Sequence, residues 1–294
     1  MTVNEAPVNL RATGQLARRQ FASKLSRYVF LGATLIGVVV LLFLAYDTGR
    51  QGLGPLDWDF LTNYPSRFAD RAGLRAGILG TLWVMGATVL IAIPVAIGTA
   101  IYITEFAPRN RLLTLIELNL ANLAGVPSII YGILGLAVFV RLLSLGPSII
   151  AGALTLAIMI LPMTVIASVE AIRQVPPSIR DGSLALGATR WQTVWHHVLP
   201  AAMPGIMTGT ILAISRAAGE TAALIMIGAA GFIAFDPQSF LDDFTIVPIQ
   251  IYNWTTIPNE AFRALAASGI IVMMVFILAL NLAAALIRER FRRY

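Results

Sequence analysis

Residues Ser178 to Gly205 read SIRDGSLALGATRWQTVWHHVLPAAMPG, too apolar for a solvated loop and too polar to cross a bilayer. Leu184, Ala185 and Leu186 lead to Gly187, whose missing Cβ suits a helix end or a sharp turn. Beyond it, Trp191, Val194, Trp195 and Val198 recur at i, i+3, i+4 and i+7, the spacing of a short amphipathic helix. Pro200 and Pro204 punctuate the return to apolar sequence. Two readings fit: a pair of short helices joined at a glycine as a rigid knob beneath the membrane, or a single interfacial helix lying on its surface.

The sequence around this loop belongs in lipid. Of 294 residues, 57% are hydrophobic and 12% charged, about half the ~25% charged fraction usual in soluble domains. Mean hydropathy is +0.79. Cysteine is absent, which excludes disulfides, thiol chemistry and cysteine metal sites, and the adjacent His196 and His197 are the only histidines. No metal site is expected. The net charge of +6 does not point to nucleic acid, because the positive residues flank apolar segments.

A spanning helix needs ~20 mainly apolar residues. Six stretches qualify, at about 28–46, 76–103, 113–140, 147–169, 203–233 and 264–287. The first is too long for the apolar part of a signal peptide and lacks an A-x-A cleavage site, so a retained anchor is expected. Of the 21 Lys and Arg residues, fourteen fall in the two tails and in the loops after the second and fourth spans; six fall on the other side. The positive-inside rule then places both termini in the cytoplasm. The expected fold is all-α, a polytopic integral membrane protein of six transmembrane helices. The expected parts are a tail at 1–27, a first span with its outer loop at 28–75, a core at 76–288 containing the loop at about 177–200, and a tail at 289–294. The outer segment 234–263 carries FTIVPIQIYNW, in which Tyr252 and Trp254 read either as interfacial belt aromatics or as a docking edge for an external partner.

Within the fifth span lies ISRAAGETAAL, Ile214 to Leu224, with Arg216 and Glu220 four residues apart. An ionised side chain at the bilayer centre costs at least ~2.5–3.5 kcal/mol. On a continuous helix these two share a stripe with Gly205, Gly209, Ala213, Gly219 and Ala223. Small residues of this kind serve close helix packing, but packing around a long arginine is awkward, and a translocation pathway is the favoured reading. Thr221 and Ser215 are nearby hydroxyls whose default is bonding to the i−4 carbonyl. In the third span, AGVPSIIYGILGL (Ala124 to Leu136) has Pro127 where a helix must bend or break. If a half-helix starts there, Ser128 and its amides face an anion; an ordinary kink is the alternative. Glu170 and Arg173 end the fourth span as either a gate pair or a solvated helix end.

The loop motif Asp181-Gly182-Ser183, three residues, Gly187, nine residues, His197-Val198-Leu199-Pro200 resembles the EAA loop of ABC importer permeases: Glu-Ala-Ala, three residues, Gly, nine residues, Ile-x-Leu-Pro. Gly187, Leu199 and Pro200 match in register; Asp181, Gly182, Ser183 and His197 depart from the pattern, with Asp181 keeping the charge. ISRAAGETAAL, AGVPSIIYGILGL and VPIQIYNW are similar to the permeases of phosphate importers, the PstA type more than the PstC type. The resemblance implies a type I (MetI-like) permease fold. It implies that the loop docks on an ATPase subunit through Asp181, Gly187, Leu199 and Pro200. It also implies four kinds of partner or ligand: a second PstC-like permease, two PstB-like ATP-binding subunits, an external PstS-like phosphate-binding protein, and ATP with Mg held by the ATPase subunits rather than by this chain. No G-x-x-x-x-G-K-[ST] occurs here, in keeping with a transport subunit that is not an enzyme.

The chemistry of Arg216 suits an oxyanion, since a guanidinium offers paired, planar donors. Glu220 opposes the substrate's charge, so it either neutralises Arg216 in the empty pathway or accepts a hydrogen bond from a phosphate hydroxyl, a proton sulfate lacks. The rivals are an importer of another oxyanion (phosphonate or sulfate) and a self-sufficient secondary transporter or channel.

Overall fold

The computed structural model describes residues 14–229 and 231–291. Arg11, Arg292 and Arg293 of the basic tails lie outside the described residues. The chain divides into two compact units, Met1–Arg50 and Gln51–Tyr294. The described part of the first is a turn residue, Gly14, and helix α1 (Gln15–Gly52) as far as Arg50. The helix runs well past the predicted 28–46, because the flanking Ala, Leu, Lys, Arg and Gln residues are themselves good helix formers. At 1.5 Å per residue it is about 57 Å long, more than the ~30 Å of a bilayer core, so its basic first turns extend beyond the lipid.

The second unit starts with the short α2 (Trp58–Thr62), capped by the Asp57 carboxylate, which accepts from the Phe60 N–H at 2.7 Å. There follow α3 (Arg75–Ile101), ending in a π turn at Tyr102–Phe106, and α4 (Arg111–Ala124). Next come α5 (Ser128–Gly135), continued by a π turn at Leu136–Leu142, and α6 (Ile149–Arg173). The loop holds α7 (Pro177–Ala185) and α8 (Arg190–Thr193), and α8 passes through a π turn at Val194–Val198 into α9 (Leu199–Ala218). The chain closes with α10 (Ala222–Met226), α11 (Val247–Thr256) and α12 (Glu260–Phe291).

Among the described residues, five helices are long and apolar enough to cross a membrane, or six when α4 and α5, bent by 102°, are counted as one broken span. The fold is thus the expected six-span, all-α architecture, with two corrections inside it. The predicted span 113–140 is broken at Gly125-Val126-Pro127: Pro127 has no N–H to donate, disfavours helical φ/ψ at Val126, and itself sits extended at ψ 138°. The predicted span 203–233 stops at Ala218 and begins much earlier, its apolar window lying in Arg190–Ala218. The apolar residues after Glu220 form the separate α10, whose Ala223 and Leu224 are buried in the bundle together with Ile227. Composition alone does not separate an apolar half-helix inside protein from an apolar helix in lipid.

Helix α6 is apolar and buried on nearly all sides, the mark of a central element. Thr88 of α3 donates to Val84 O at 2.8 Å and lies 3.3 Å from Ala153 O of α6. Against α9, the helices touch through small residues: a Cβ on Gly205 would meet the Ala171 Cβ at 2.7 Å, and one on Gly209 would overlap that of Ala167. On the other side of α3, the irregular segment Phe244–Val247 lies buried along the helix, where the Thr81 hydroxyl accepts from the Val247 N–H at 3.0 Å.

Trp254 of α11 is 2% exposed and packs 5.8 Å from the Phe60 ring. It is a core residue, which corrects both readings of it as a surface aromatic; its indole was placed on the buried face of an amphipathic helix. Tyr252 on the same helix is exposed.

Arg75, at the start of α3, donates from Nε and Nη2 to the two Asp236 oxygens at 2.8 and 2.5 Å, with the Tyr64 ring 5.4 Å away. The hydrogen bond from Arg75 holds the Asp236 carboxyl below its ordinary range. Its stabilising contribution is therefore present above the unfolded-state value of about 3.9 and is lost as pH falls through the lower folded value. Asp236→Asn is expected to flatten the loss of thermal stability between neutral pH and about pH 3, measured as melting of the detergent-solubilised protein; an unchanged acid slope would remove the pair as its source.

Candidate functional site

The two breaks in the spans lie where the chemistry-bearing residues are. Arg216 occupies the last turn of α9, exposed, with Nη1 3.8 Å from the Met163 sulfur of α6. The stripe toward it (Gly205, Gly209 and buried Ala213) is taken up by packing, against α6 at the two glycines. At those two glycines the small residues serve close helix packing, while Gly205, Arg216 and Gly219 are themselves exposed.

Glu220 follows in the break between α9 and α10. Its Oε1 accepts from the Ala223 N–H at 3.2 Å, capping α10. Because the helix ends at Ala218, Arg216 and Glu220 do not face each other as an i, i+4 pair, and no ion pair joins them among the described residues. Thr221 starts α10, with its hydroxyl 3.4 Å from Gly219 O. The Ser215 hydroxyl bonds across to the Asn281 side-chain oxygen of α12 at 2.6 Å rather than back to its own helix. Asn281 was not anticipated, since one polar residue in a long apolar run carries little signal.

The second break sits beside the first. Ser128 is the first residue of α5, half-buried after Pro127. Tyr131 donates to Leu123 O at 2.8 Å, a carbonyl that the broken helix leaves without its usual partner. Gly132 of α5 lies against α10, where a Cβ would meet the Ala223 Cα at 2.8 Å. The half-helices after the two breaks are thus packed together.

The loop forms a second constellation. Its first helix ends in a Schellman motif, with Ala188 N–H donating to Ser183 O at 3.2 Å and Gly187 N–H to Leu184 O at 3.0 Å. Gly187 takes φ +86°, a left-handed conformation glycine adopts without cost. Helix α8 starts with a capping box between Thr189 and Gln192. The Ser183 and Thr193 hydroxyls, 2.9 Å apart, tie the two helices together. Of the anticipated amphipathic face, Val194 and Val198 point inward, while Trp191 and Trp195 stack outside at 5.9 Å. Asp181 is exposed on α7, Leu199 is half-buried and Pro200 exposed at the start of α9, and Leu186 at the turn is 91% exposed.

Between α3, α4, α6 and α7 lies a cavity of about 910 Å³ lined by Glu105, Arg109, Arg111, Glu117, Arg173 and Arg180 among others. Arg173 reaches Glu117 at 2.6 Å as well as Glu170 at 3.5 Å, and Arg180 reaches Glu105 at 2.7 Å. The sequence paired only Glu170 with Arg173; the two pairs to Glu117 and Glu105 join residues far apart in the chain and left no local signal. Among the described residues, no group of His, Asp or Glu is placed to hold a metal ion.

Residues 92–293 match the family described as binding-protein-dependent transport system inner membrane component. The chain is 34% identical to the probable ABC transporter permease protein YqgI of Bacillus subtilis (strain 168) over 281 residues, covering 90% of this chain and 95% of that protein. It is 30% identical to the phosphate transport system permease protein PstA 1 of Mycobacterium tuberculosis (strain ATCC 25618 / H37Rv) over 283 residues, covering 92% and 89%. Among solved structures, a chain of the bacterial alginate ABC transporter in complex with alginate pentasaccharide-bound periplasmic protein superposes with a TM-score of 0.66 at 17% identity, over 92% of this chain and 96% of that one.

Proposed function

The chain belongs to the binding-protein-dependent transport system inner membrane component family and is a permease subunit of an ABC importer; on that premise we propose that its cargo is inorganic phosphate. It spans the membrane and hydrolyses no ATP itself, working with ATPase and substrate-binding partners. The further proposal is that these partners are a PstC-like second permease, two PstB-like subunits that bind ATP and Mg, and a PstS-like phosphate-binding protein outside. Both termini lie in the cytoplasm of a bacterial or archaeal cell. The loop is the coupling element, with Asp181, Gly187, Leu199 and Pro200 at or beside the ATPase contact. Tyr252 is the remaining candidate for outer docking.

The observation that carries the phosphate reading is the broken fifth span. The break leaves the Arg216 guanidinium open and unpaired with Glu220, beside the packed half-helices α5 and α10. Arg216 has donors for the phosphate oxygens. Glu220 uses one oxygen to cap α10, and its other oxygen accepts a hydrogen bond from the hydroxyl that hydrogen phosphate carries and sulfate lacks. Thr221 and Ser128 supply hydroxyls at the starts of the two half-helices. The ~30% identity to PstA proteins over most of the chain supports the same cargo.

The test is ATPase activity of the reconstituted complex with its binding protein. Phosphate is expected to stimulate the wild type and sulfate to leave it at its basal rate. Glu220→Gln is expected to lower phosphate stimulation about tenfold, the equivalent of one charge-assisted hydrogen bond at the low end. Stimulation by sulfate and not phosphate sinks the cargo assignment; a normal response in Glu220→Gln makes the carboxylate a helix cap and nothing more.

A further inference from the structure

Arg180 makes more polar contacts than any one role in the loop requires. It stands in the first half of α7, with its side chain 22% exposed against 12% for Glu105. Nε lies 3.1 and 3.2 Å from the two Glu105 oxygens, and Nη2 reaches Oε1 at 2.7 Å. Nη1 donates to Val175 O at 2.7 Å, and Nη2 donates also to Ile172 O at 3.0 Å. Glu105 belongs to the π turn that ends α3, while Ile172 is in the last turn of α6 and Val175 two residues beyond it, at a helix C-terminus where a cation is favoured. One guanidinium therefore joins three segments: the loop, α3 and α6.

Apolar contacts cross here too: the Trp191 ring of α8 lies 6.3 Å from that of Phe106 in the π turn ending α3, and Val198 shares a buried cluster with Ile103 and Ile172. Helical continuity between the loop and a span exists on one side only. Helices α7 and α8 form one body through the Schellman turn and the Ser183–Thr193 bond, and α8 runs helically into α9. Toward α6, the chain passes through Val175-Pro176-Pro177, a segment without helical continuity. A displacement of the loop reaches α9 through the helix itself. It reaches α3 and α6 through side-chain contacts, of which the Arg180 bonds are the charge-assisted, directional ones.

We infer that Arg180 is a positioning residue that makes α3 and α6 move with the coupling loop, with Glu105 as its anchor. This rests on the reading of the loop as the ATPase-contacting element. Lysine cannot replace it, because a single ammonium does not reach a carboxylate bidentately and two carbonyls at once.

The experiment uses the whole reconstituted transporter, with ATP hydrolysis and solute uptake measured in the same vesicles. Arg180→Ala is expected to hydrolyse ATP within about twofold of wild type while solute moved per ATP falls at least about tenfold, the scale of truncating a desolvated charge pair. Arg180→Lys falls between the two. A wild-type ratio of solute to ATP in Arg180→Ala overturns the proposal. Should Arg180→Ala not assemble, Glu105→Gln applies the same test to the anchor: a reduced ratio is expected, and an unchanged one overturns it. A second readout does not depend on cargo. The chain has no cysteine, so Tyr102→Cys on the π turn and Ala185→Cys on α7, both exposed, take spin labels specifically. Their separation is expected to stay fixed on adding ATP and to shift or broaden only with Arg180→Ala; a separation that changes with ATP while Arg180 is present overturns the proposal. If wild-type vesicles take up no phosphate, the cargo assignment fails while the label distances still decide the role of Arg180.

Discussion

Gly80→Leu leaves no properly folded permease to assay. A Cβ at Gly80 overlaps the Thr245 carbonyl oxygen, so even alanine forces backbone apart from backbone. The displaced segment cannot give way cheaply. Phe244, Thr245, Ile246 and Val247 are all buried, and the Val247 N–H depends on the Thr81 hydroxyl one residue along α3 from Gly80. Moving the segment leaves that amide unpaired, at ~1–3 kcal/mol, on top of ~1–3 kcal/mol for overpacking. Gly80→Ala is expected to lower the melting temperature in detergent sharply, and Gly80→Leu to abolish monodisperse expression. Gly86 and Gly98 on the same helix have open space around a new Cβ. Alanine there is expected to be neutral or stabilising, by up to ~1 kcal/mol from helix propensity. Equal behaviour of Gly80→Ala and Gly86→Ala in fluorescence-detected size-exclusion profiles would refute the close approach.

The second large effect is on transport. Arg216→Met is expected to reduce uptake of labelled phosphate about a hundredfold or more while leaving assembly intact. Methionine keeps a long, flexible stem beside Met163, and the position is exposed, so the fold loses little. What disappears are the charged donors to the oxyanion. Two hydrogen bonds to a charged group at ~1.5–3 kcal/mol each account for ~3 kcal/mol, or about two decades. Arg216→Lys retains the charge without the planar fork and is expected to fall about tenfold. The measurement is initial-rate uptake in proteoliposomes loaded with ATP. A folded Arg216→Met complex with wild-type uptake would take the guanidinium out of the pathway and leave it as the open end of a packing stripe.

Much of this architecture was legible because it is written in local terms. Lipid spans show as runs of apolar residues, and the loop shows as a mixed stretch with Gly187 at its corner. Pro127 marked a place for a break or an ordinary kink; Pro94, Pro162 and Pro204 stand inside continuous helices, so the proline alone did not decide between them. What escaped was decided by partners elsewhere in the chain. Nothing near Glu105 points to Arg180, 75 residues away. The run after Glu220 is as apolar as a span, yet it is buried among protein neighbours, so a hydropathy window extends the fifth span too far. Trp254 reads from the sequence as an interfacial belt aromatic or a docking edge, but its place is set by the Phe60 ring and the face of α11 that meets the bundle. The Arg216–Glu220 spacing was read on an unbroken helix; the break turned one supposed pair into a free cation and a helix cap.

The π turn between α8 and α9 has a consequence for direction. Each residue of an α-helix advances about 100° around the axis, so a five-residue return in place of four shifts the azimuth of everything before it. Helix α8 and the span it feeds form one rod whose two halves are out of phase. The compass bearing of the loop around that rod is set at Val194–Val198. Gaining or losing one residue at that turn would swing the loop by about 100° around the rod, with the sequence of both helices left untouched.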